Sequence, residues 1–306
     1  MPRIDLHAHV LTPAYEQTLP ARRRPPQSPA ALERFMEHYE IDAAVVSMGG
    51  ALESRTAATA RTGNEELAEL VRAQPRRFGA LAIVPFDAAY PEMAAAEATY
   101  ALDTLGLDGV ALFSNHHGTY LGDPLWEELL AELDRRGAYV FVHPATPPNG
   151  VVFPSYPDWL FEYPFDTTRA ITNLIFTGAL DRHANVRLQF AHLGGAAMFL
   201  AHRLNSLIAR EPEKAAEATT TVMAYLAQQY FDTGLSNNMV ALASTRTVAP
   251  LAHIVYGSDW PYLAQPAGVD PSEDFDQLPP EDRAKIDHHN AAALVPRLAA
   301  AVSGVT

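Results

Sequence analysis

At 306 residues and 48% hydrophobic composition, the chain is long enough for one large α/β barrel or two average domains, with ample apolar mass for a buried core. A formal net charge of −14 argues against nucleic acid and anionic membranes as partners and favours a small-molecule enzyme, the short run "ARRRPP" at 21–26 being its main basic stretch. Without cysteine there is no disulfide or thiolate chemistry, and with neither a leader-like start nor an apolar stretch approaching ~20 residues, a cytoplasmic protein is expected.

In chain order the first element is "RIDLHAHV", a strand in which Asp5, His7 and His9 alternate and so face one side together. "SPAALERFMEHYEI" then predicts a helix capped by Ser28 with Pro29 at its first position. Further strands are expected at "AAVVSMGG", "GALAIVPF" and "GVALFSN", followed by a helix from Asp123 and Pro124 to a stop at Gly137. "AYVFVHP" is the fifth strand, and "TPPNGVVFPSYPDWLFEYP" after it is read as a long loop over about 145–166. "VRLQFAHLGG", "YFDTGLS" and "HIVYGSDWPY" complete eight. Strands apolar throughout belong to a parallel sheet covered on both faces. Eight of them with helices between predict a single-domain (β/α)8 TIM barrel over 1–306, with a doubly wound open sheet as the alternative.

Such a barrel builds its site at the C-terminal ends of its strands. His7 and His9 on the first strand, His143 ending the fifth, His192 ending the sixth and Asp259 ending the eighth are each polar residues that follow an apolar run. Any one alone reads as a loop residue; five at the same end of four strands read as a site. Three imidazoles and a carboxylate suit zinc, manganese, iron or nickel, leaving His192 as a nearby acid or base. His38, His183, His202, His253, His288 and His289 fall on helices or helix ends and read as structural. His116 and His117 follow the fourth strand, as a mobile loop pair or a second, weaker metal position. Asp232 is either a partner for a ligating histidine or a helix cap. Arg22, Arg23 and Arg24 read as a solvated run, and Phe153, Tyr156, Trp159, Phe161 and Phe165 as a lid near His143.

These motifs, HxH on the first strand, histidine after the fifth, "AHLGG" after the sixth and "GSDWP" after the eighth, resemble the amidohydrolase superfamily, and within it the branch of aminocarboxymuconate semialdehyde decarboxylase and related non-oxidative decarboxylases. The resemblance runs from Ile4 to about Leu294, and "EYPFDTT" is similar to decarboxylases of the 6-methylsalicylate type. It implies that His7, His9, His143 and Asp259 ligate metal, that His192 is catalytic, with Asp259 sharing proton transfer, and that Arg203 binds a substrate carboxylate across a homodimer interface. Many binuclear members use a bridging lysine after the fourth strand; here the only lysines are Lys214 and Lys285, both in late polar stretches, so one divalent ion is expected, zinc ahead of manganese. The implied reaction is decarboxylation of a small aromatic or unsaturated, hydroxybenzoate-like acid, with Trp159 and Phe165 lining the substrate slot. Metal-dependent hydrolysis of a lactone, ester or amide is the alternative.

Overall fold

A computed structural model of the chain describes residues 2–19, 27–48, 56–148, 155–262, 270 and 273–304; Arg22, Arg23, Arg24 and Phe153 lie outside these. All eight expected strands are present: β1 Ile4–His9, β2 Ala43–Ser47, β3 Phe78–Ile83, β4 Gly109–Phe113, β5 Tyr139–His143, β6 Arg187–Phe190, β7 Tyr230–Asp232 and β8 Ile254–Val255. Each pairs in parallel with the next in chain order. Past Val255 the backbone keeps running beside β1: the Leu6 amide donates to the Tyr256 carbonyl (2.9 Å), Asp259 to His7 (2.7 Å) and His9 to Trp260 (2.8 Å). An open doubly wound sheet would reverse its strand order and leave two free edges, so sequential order and this seam make the fold a (β/α)8 barrel.

Helices follow the strands: α1 Pro29–His38, α2 Ala57–Ala73, α3 Glu92–Thr99, α4 Glu127–Arg136, α5 Asp158–Phe176, α6 Ala197–Arg210, α7 Met239–Arg246 and α8 Pro280–Asp287. The strand period divides the core in two. Ala43, Val45, Leu81, Ala111, Tyr139 and Phe141 form one buried cluster. Their sequence neighbours Ala44, Val46, Ala82, Val110, Val140 and Val142 pack with the helix residues Leu67, Leu130 and Ile171 in another. This two-sided burial is why the strands read as apolar throughout.

One expectation needs correction. The long loop over about 145–166 is helical from Asp158, and "EYPFDTT" is part of α5 rather than a turn. Pro164 hid this, because proline inside a helix removes an amide donor and normally ends the helix. Here α5 continues past it, burying Ala170, Ile171, Leu174 and Ile175, while the Thr168 hydroxyl donates to the Pro164 carbonyl at 2.8 Å. Of the histidines read as structural, His183 meets Glu127 Oε1 at 3.0 Å, His253 stacks on Tyr230 and His288 contacts Ser303 Oγ at 3.1 Å. Among the described residues no helix is long and apolar enough to cross a membrane.

Ser28 caps α1 as expected, accepting from the Ala31 amide at 3.3 Å. Ser28→Ala should lower the unfolding free energy by about 1 kcal/mol in urea titrations while leaving metal uptake unchanged, since Ser28 is not one of the four donor residues.

Candidate metal centre

β1 delivers His7 and His9 to the barrel mouth, β5 delivers His143, and the segment after β8 delivers Asp259. Each of these four offers one donor atom, and those atoms lie within 4.8 Å of one another. Their other ring nitrogens are committed elsewhere. His7 Nδ1 faces Asp232 Oδ1 at 2.9 Å, His9 Nδ1 faces Ser47 Oγ at 2.9 Å, and His143 Nδ1 faces the Pro144 carbonyl at 2.7 Å. A carboxylate and a carbonyl only accept, so Nδ1 of His7 and of His143 carries a proton; Ser47 Oγ can accept from His9 in the same way. All three Nε2 atoms then turn inward. His7 Nε2 lies 3.2 Å from His9 Nε2, and Asp259 Oδ1 lies 3.1 and 3.2 Å from these two. Asp259 Oδ1 is buried without a well-formed hydrogen bond. Converging nitrogen lone pairs and a carboxylate oxygen are the donor set a divalent cation requires, so the residues fit such an ion.

The electrostatics follow from burial and these contacts. Burial holds His143 well below the usual histidine range, reinforced by its imidazole neighbours His9 and His7, and burial also lowers His9. Burial works against charge on His7 too, but the Asp232 and Asp259 carboxylates outweigh it and raise its pKa well above normal. Asp259 is likewise held well below the carboxylate range, because His7 and the neighbouring histidines overcome burial.

His192 sits at the edge of the group, its Nε2 3.2 Å from Asp259 Oδ2 and its ring 5.3 Å from that of His7. Its aim comes from the backbone: His192, Leu193, Gly194 and Gly195 have φ of 58°, 51°, 76° and 63°, a run of left-handed residues that folds the end of β6 back over the barrel mouth. Asp232 resolves as a partner for a histidine rather than a cap, contacting His7 and accepting from the His192 amide at 3.2 Å.

The remaining expected residues are dispersed. Arg203 is exposed on α6, without an ion pair among the described residues of one chain. Phe165 is half-buried with its ring tilted against that of Phe161, centroids 4.8 Å apart, and Trp159 is 50% exposed. From α5 it is Tyr163 that meets His143, ring centroids 6.0 Å apart. Asp166 anchors that helix: fully buried, it accepts from Ser114 Oγ, Asn115 Nδ2 (2.8 Å) and the Tyr120 hydroxyl (2.5 Å) at the end of β4. His116 is buried against Phe86, Phe113 and Trp126, not a mobile loop residue, and it lies outside the four-residue donor group.

Ser47, Gln189, Tyr163 and Tyr262, whose ring lies 5.8 Å from His9, were not singled out in the sequence. Two of them left a signal: Ser47 follows an apolar run as the histidines do, and Gln189 interrupts one.

A sequence profile of the Amidohydrolase family matches residues 4–297. The chain belongs to the amidohydrolase family. The 6-methylsalicylic acid decarboxylase of Penicillium expansum is 31% identical to this amidohydrolase over 318 residues, covering 97% of each. Two solved structures share its fold. The 2,6-dihydroxybenzoate decarboxylase from Rhizobium superposes with a TM-score of 0.82 at 19% identity, covering 97% of this chain and 99% of that one. The 5-carboxyvanillate decarboxylase of Novosphingobium aromaticivorans, complexed with manganese and 4-hydroxy-3-methoxy-5-nitrobenzoic acid, does so with 0.81 at 19% identity, covering 96% of each. The amidohydrolase lies in the decarboxylase branch that its motifs implied, and it is a carboxy-lyase.

Glycines 234 and 257 leave room for the His7 ring and its carboxylate. A Cβ at Gly257 would sit 2.7 Å from His7 Cβ and 3.0 Å from Asp232 Cβ, and one at Gly234 would sit 2.7 Å from His7 Nδ1. Gly257→Ala should displace His7 and weaken zinc binding by about tenfold or more in chelator competition, with the barrel still folded. Unchanged affinity would show that the ring has slack.

Proposed function

We propose that this amidohydrolase releases CO2 non-oxidatively from a small hydroxybenzoate-like acid, at one divalent cation held by His7, His9, His143 and Asp259. The convergence of three Nε2 atoms and Asp259 Oδ1 within 4.8 Å carries this reading. The decarboxylase relative of 31% identity supports the reaction class. Zinc is the proposed ion with manganese the alternative, since imidazole and carboxylate ligands suit either. Held by these four residues, a divalent ion would supply Lewis-acid polarisation of the bound carboxylate substrate.

The protein's own groups do the rest. When the bond from ring carbon to carboxylate breaks, the electron pair stays on that carbon, which must take a proton. His192, 3.2 Å from Asp259 Oδ2, is proposed to deliver it, with Asp259 sharing the transfer. Trp159 and Phe165 on α5 are proposed walls of an aromatic slot. Arg203 is proposed to hold a substrate carboxylate in the site of a partner subunit. Phe199, one turn before it on α6, is 84% exposed, Val240 83% and Leu160 54%, exposed apolar residues of the kind a homodimer interface would cover. We take the enzyme to work in the cytoplasm.

Metal-loaded protein should release CO2 from a hydroxybenzoate, and in D2O the product should carry one deuterium at the carbon that lost it. A hydrolase would instead release acid from lactones and place solvent oxygen in its product. His192→Ala should keep about one equivalent of metal yet lose turnover by at least a hundredfold. A variant as active as the parent would remove His192 from the mechanism. Mixing Arg203→Ala with His192→Ala protein under subunit exchange should restore activity in heterodimers; no recovery despite verified exchange would place Arg203 in its own chain's site or outside the chemistry.

A further inference from the structure

Beneath the centre, four fully or almost fully buried side chains make a line through the barrel interior. The Tyr139 hydroxyl lies 2.8 Å from Gln189 Oε1, Gln189 Nε2 lies 2.8 Å from Asp232 Oδ2, and Asp232 Oδ1 lies 2.9 Å from His7 Nδ1. We propose that this relay, with Gln189 and Tyr139 as positioning residues, fixes the tautomer of His7 and so prepares Nε2 for metal before any ion arrives. The inference rests on the metal-centre reading above and extends it to two residues that touch neither metal nor substrate.

The direction of every bond in the line is forced. An ionised carboxylate only accepts, so the amide nitrogen of Gln189, not its oxygen, must face Asp232. The second hydrogen of that nitrogen points to the Leu6 carbonyl at 3.3 Å, which blocks the flipped amide a second time. Gln189 Oε1 then faces Tyr139, whose hydroxyl must donate. At the other end Asp232 Oδ1, already accepting from the Gly234 amide at 3.0 Å and the His192 amide at 3.2 Å, can meet His7 only through an Nδ1–H. With Nδ1 protonated, the lone pair of the neutral ring is on Nε2, facing His9 and Asp259. The other tautomer would set a bare Nδ1 against the Asp232 carboxylate, two acceptors facing each other in a buried interior, and a flipped ring would turn a carbon toward it. Residues that orient a ligating histidine in this way typically govern metal affinity.

Gln189→Met keeps volume and removes both N–H donors; Tyr139→Phe removes one oxygen. In chelator competition with zinc on the metal-free protein, Gln189→Met should bind about tenfold more weakly than wild type. Tyr139→Phe should bind about threefold more weakly, with the melting temperature of the metal-free protein nearly unchanged. Nitrogen-15 spectra of histidine-labelled, zinc-loaded protein should show His7 protonated at Nδ1 alone in wild type and as a mixture of Nδ1- and Nε2-protonated forms in Gln189→Met. If Gln189→Met fails to fold, Tyr139→Phe decides. Zinc affinities at the wild-type value in every variant that folds, with or without lowered melting temperatures, would overturn the relay and leave these residues as packing. Wild-type protein that takes up no zinc or manganese would overturn the metal centre itself, and the relay with it.

Discussion

The bond from the Asp259 amide to the His7 carbonyl, 2.7 Å long, is where the segment after the last strand meets the first strand, and the rest of the site depends on it. It belongs to the seam that closes the barrel between β1 and the segment after β8. It also joins the backbones of two proposed ligands. Asp5 reinforces the seam from below, accepting from the His7 amide (2.9 Å), the Ser258 amide (3.0 Å) and the Ser258 hydroxyl (2.5 Å). Burial pushes the Asp5 carboxyl up to about 6 even against those hydrogen bonds. Closure and site assembly are therefore one event: an open sheet with the same strands would carry His7 and Asp259 on opposite edges.

Geometry at the mouth is obtained at a conformational cost. His192, Leu193 and Asp259 hold left-handed backbone, a region that costs L-residues on the order of 1–3 kcal/mol each unless their surroundings impose it. The surroundings here are specific. The His192 amide is taken by Asp232, its carbonyl accepts from the Gly195 amide at 3.0 Å and the Ser236 hydroxyl at 3.3 Å, and the Asp259 amide is taken by His7. Asp232 thus holds one ring directly and aims another through its backbone, so a single buried carboxylate coordinates the ends of β1, β6 and β7.

Around this fixed centre the walls come from helices whose starts are tied to strand ends. α5 brings Tyr163 against His143 because Asp166, one turn further on, is locked to Ser114, Asn115 and Tyr120. Below Asp166 the helix is packed on the barrel; before it lie the exposed aromatic residues Tyr156, Trp159 and Phe161.

The strand-end histidines and Asp259 were legible in the sequence because each stands where an apolar run ends, and the two-residue period of a strand puts Asp5, His7 and His9 on one side through local geometry alone. The eight strands, the Ser28 cap and the missing bridging lysine were equally local facts. Other features were not. Ser47 meets His9 across 38 residues, Gln189 meets Asp232 across 43, and Asp232 meets His7 across 225, partnerships that exist only once parallel strands are in register and the barrel is shut. α5 was hidden by Pro164, whose local preference tertiary packing overrode. The sequence by itself determined which faces are apolar and which chemistry reaches the strand ends, because alternation is a property of neighbouring residues. Only the tertiary structure decided which nitrogen of His7 and of His9 points inward, because that depends on Asp232 and Ser47, brought from strands far away in the chain.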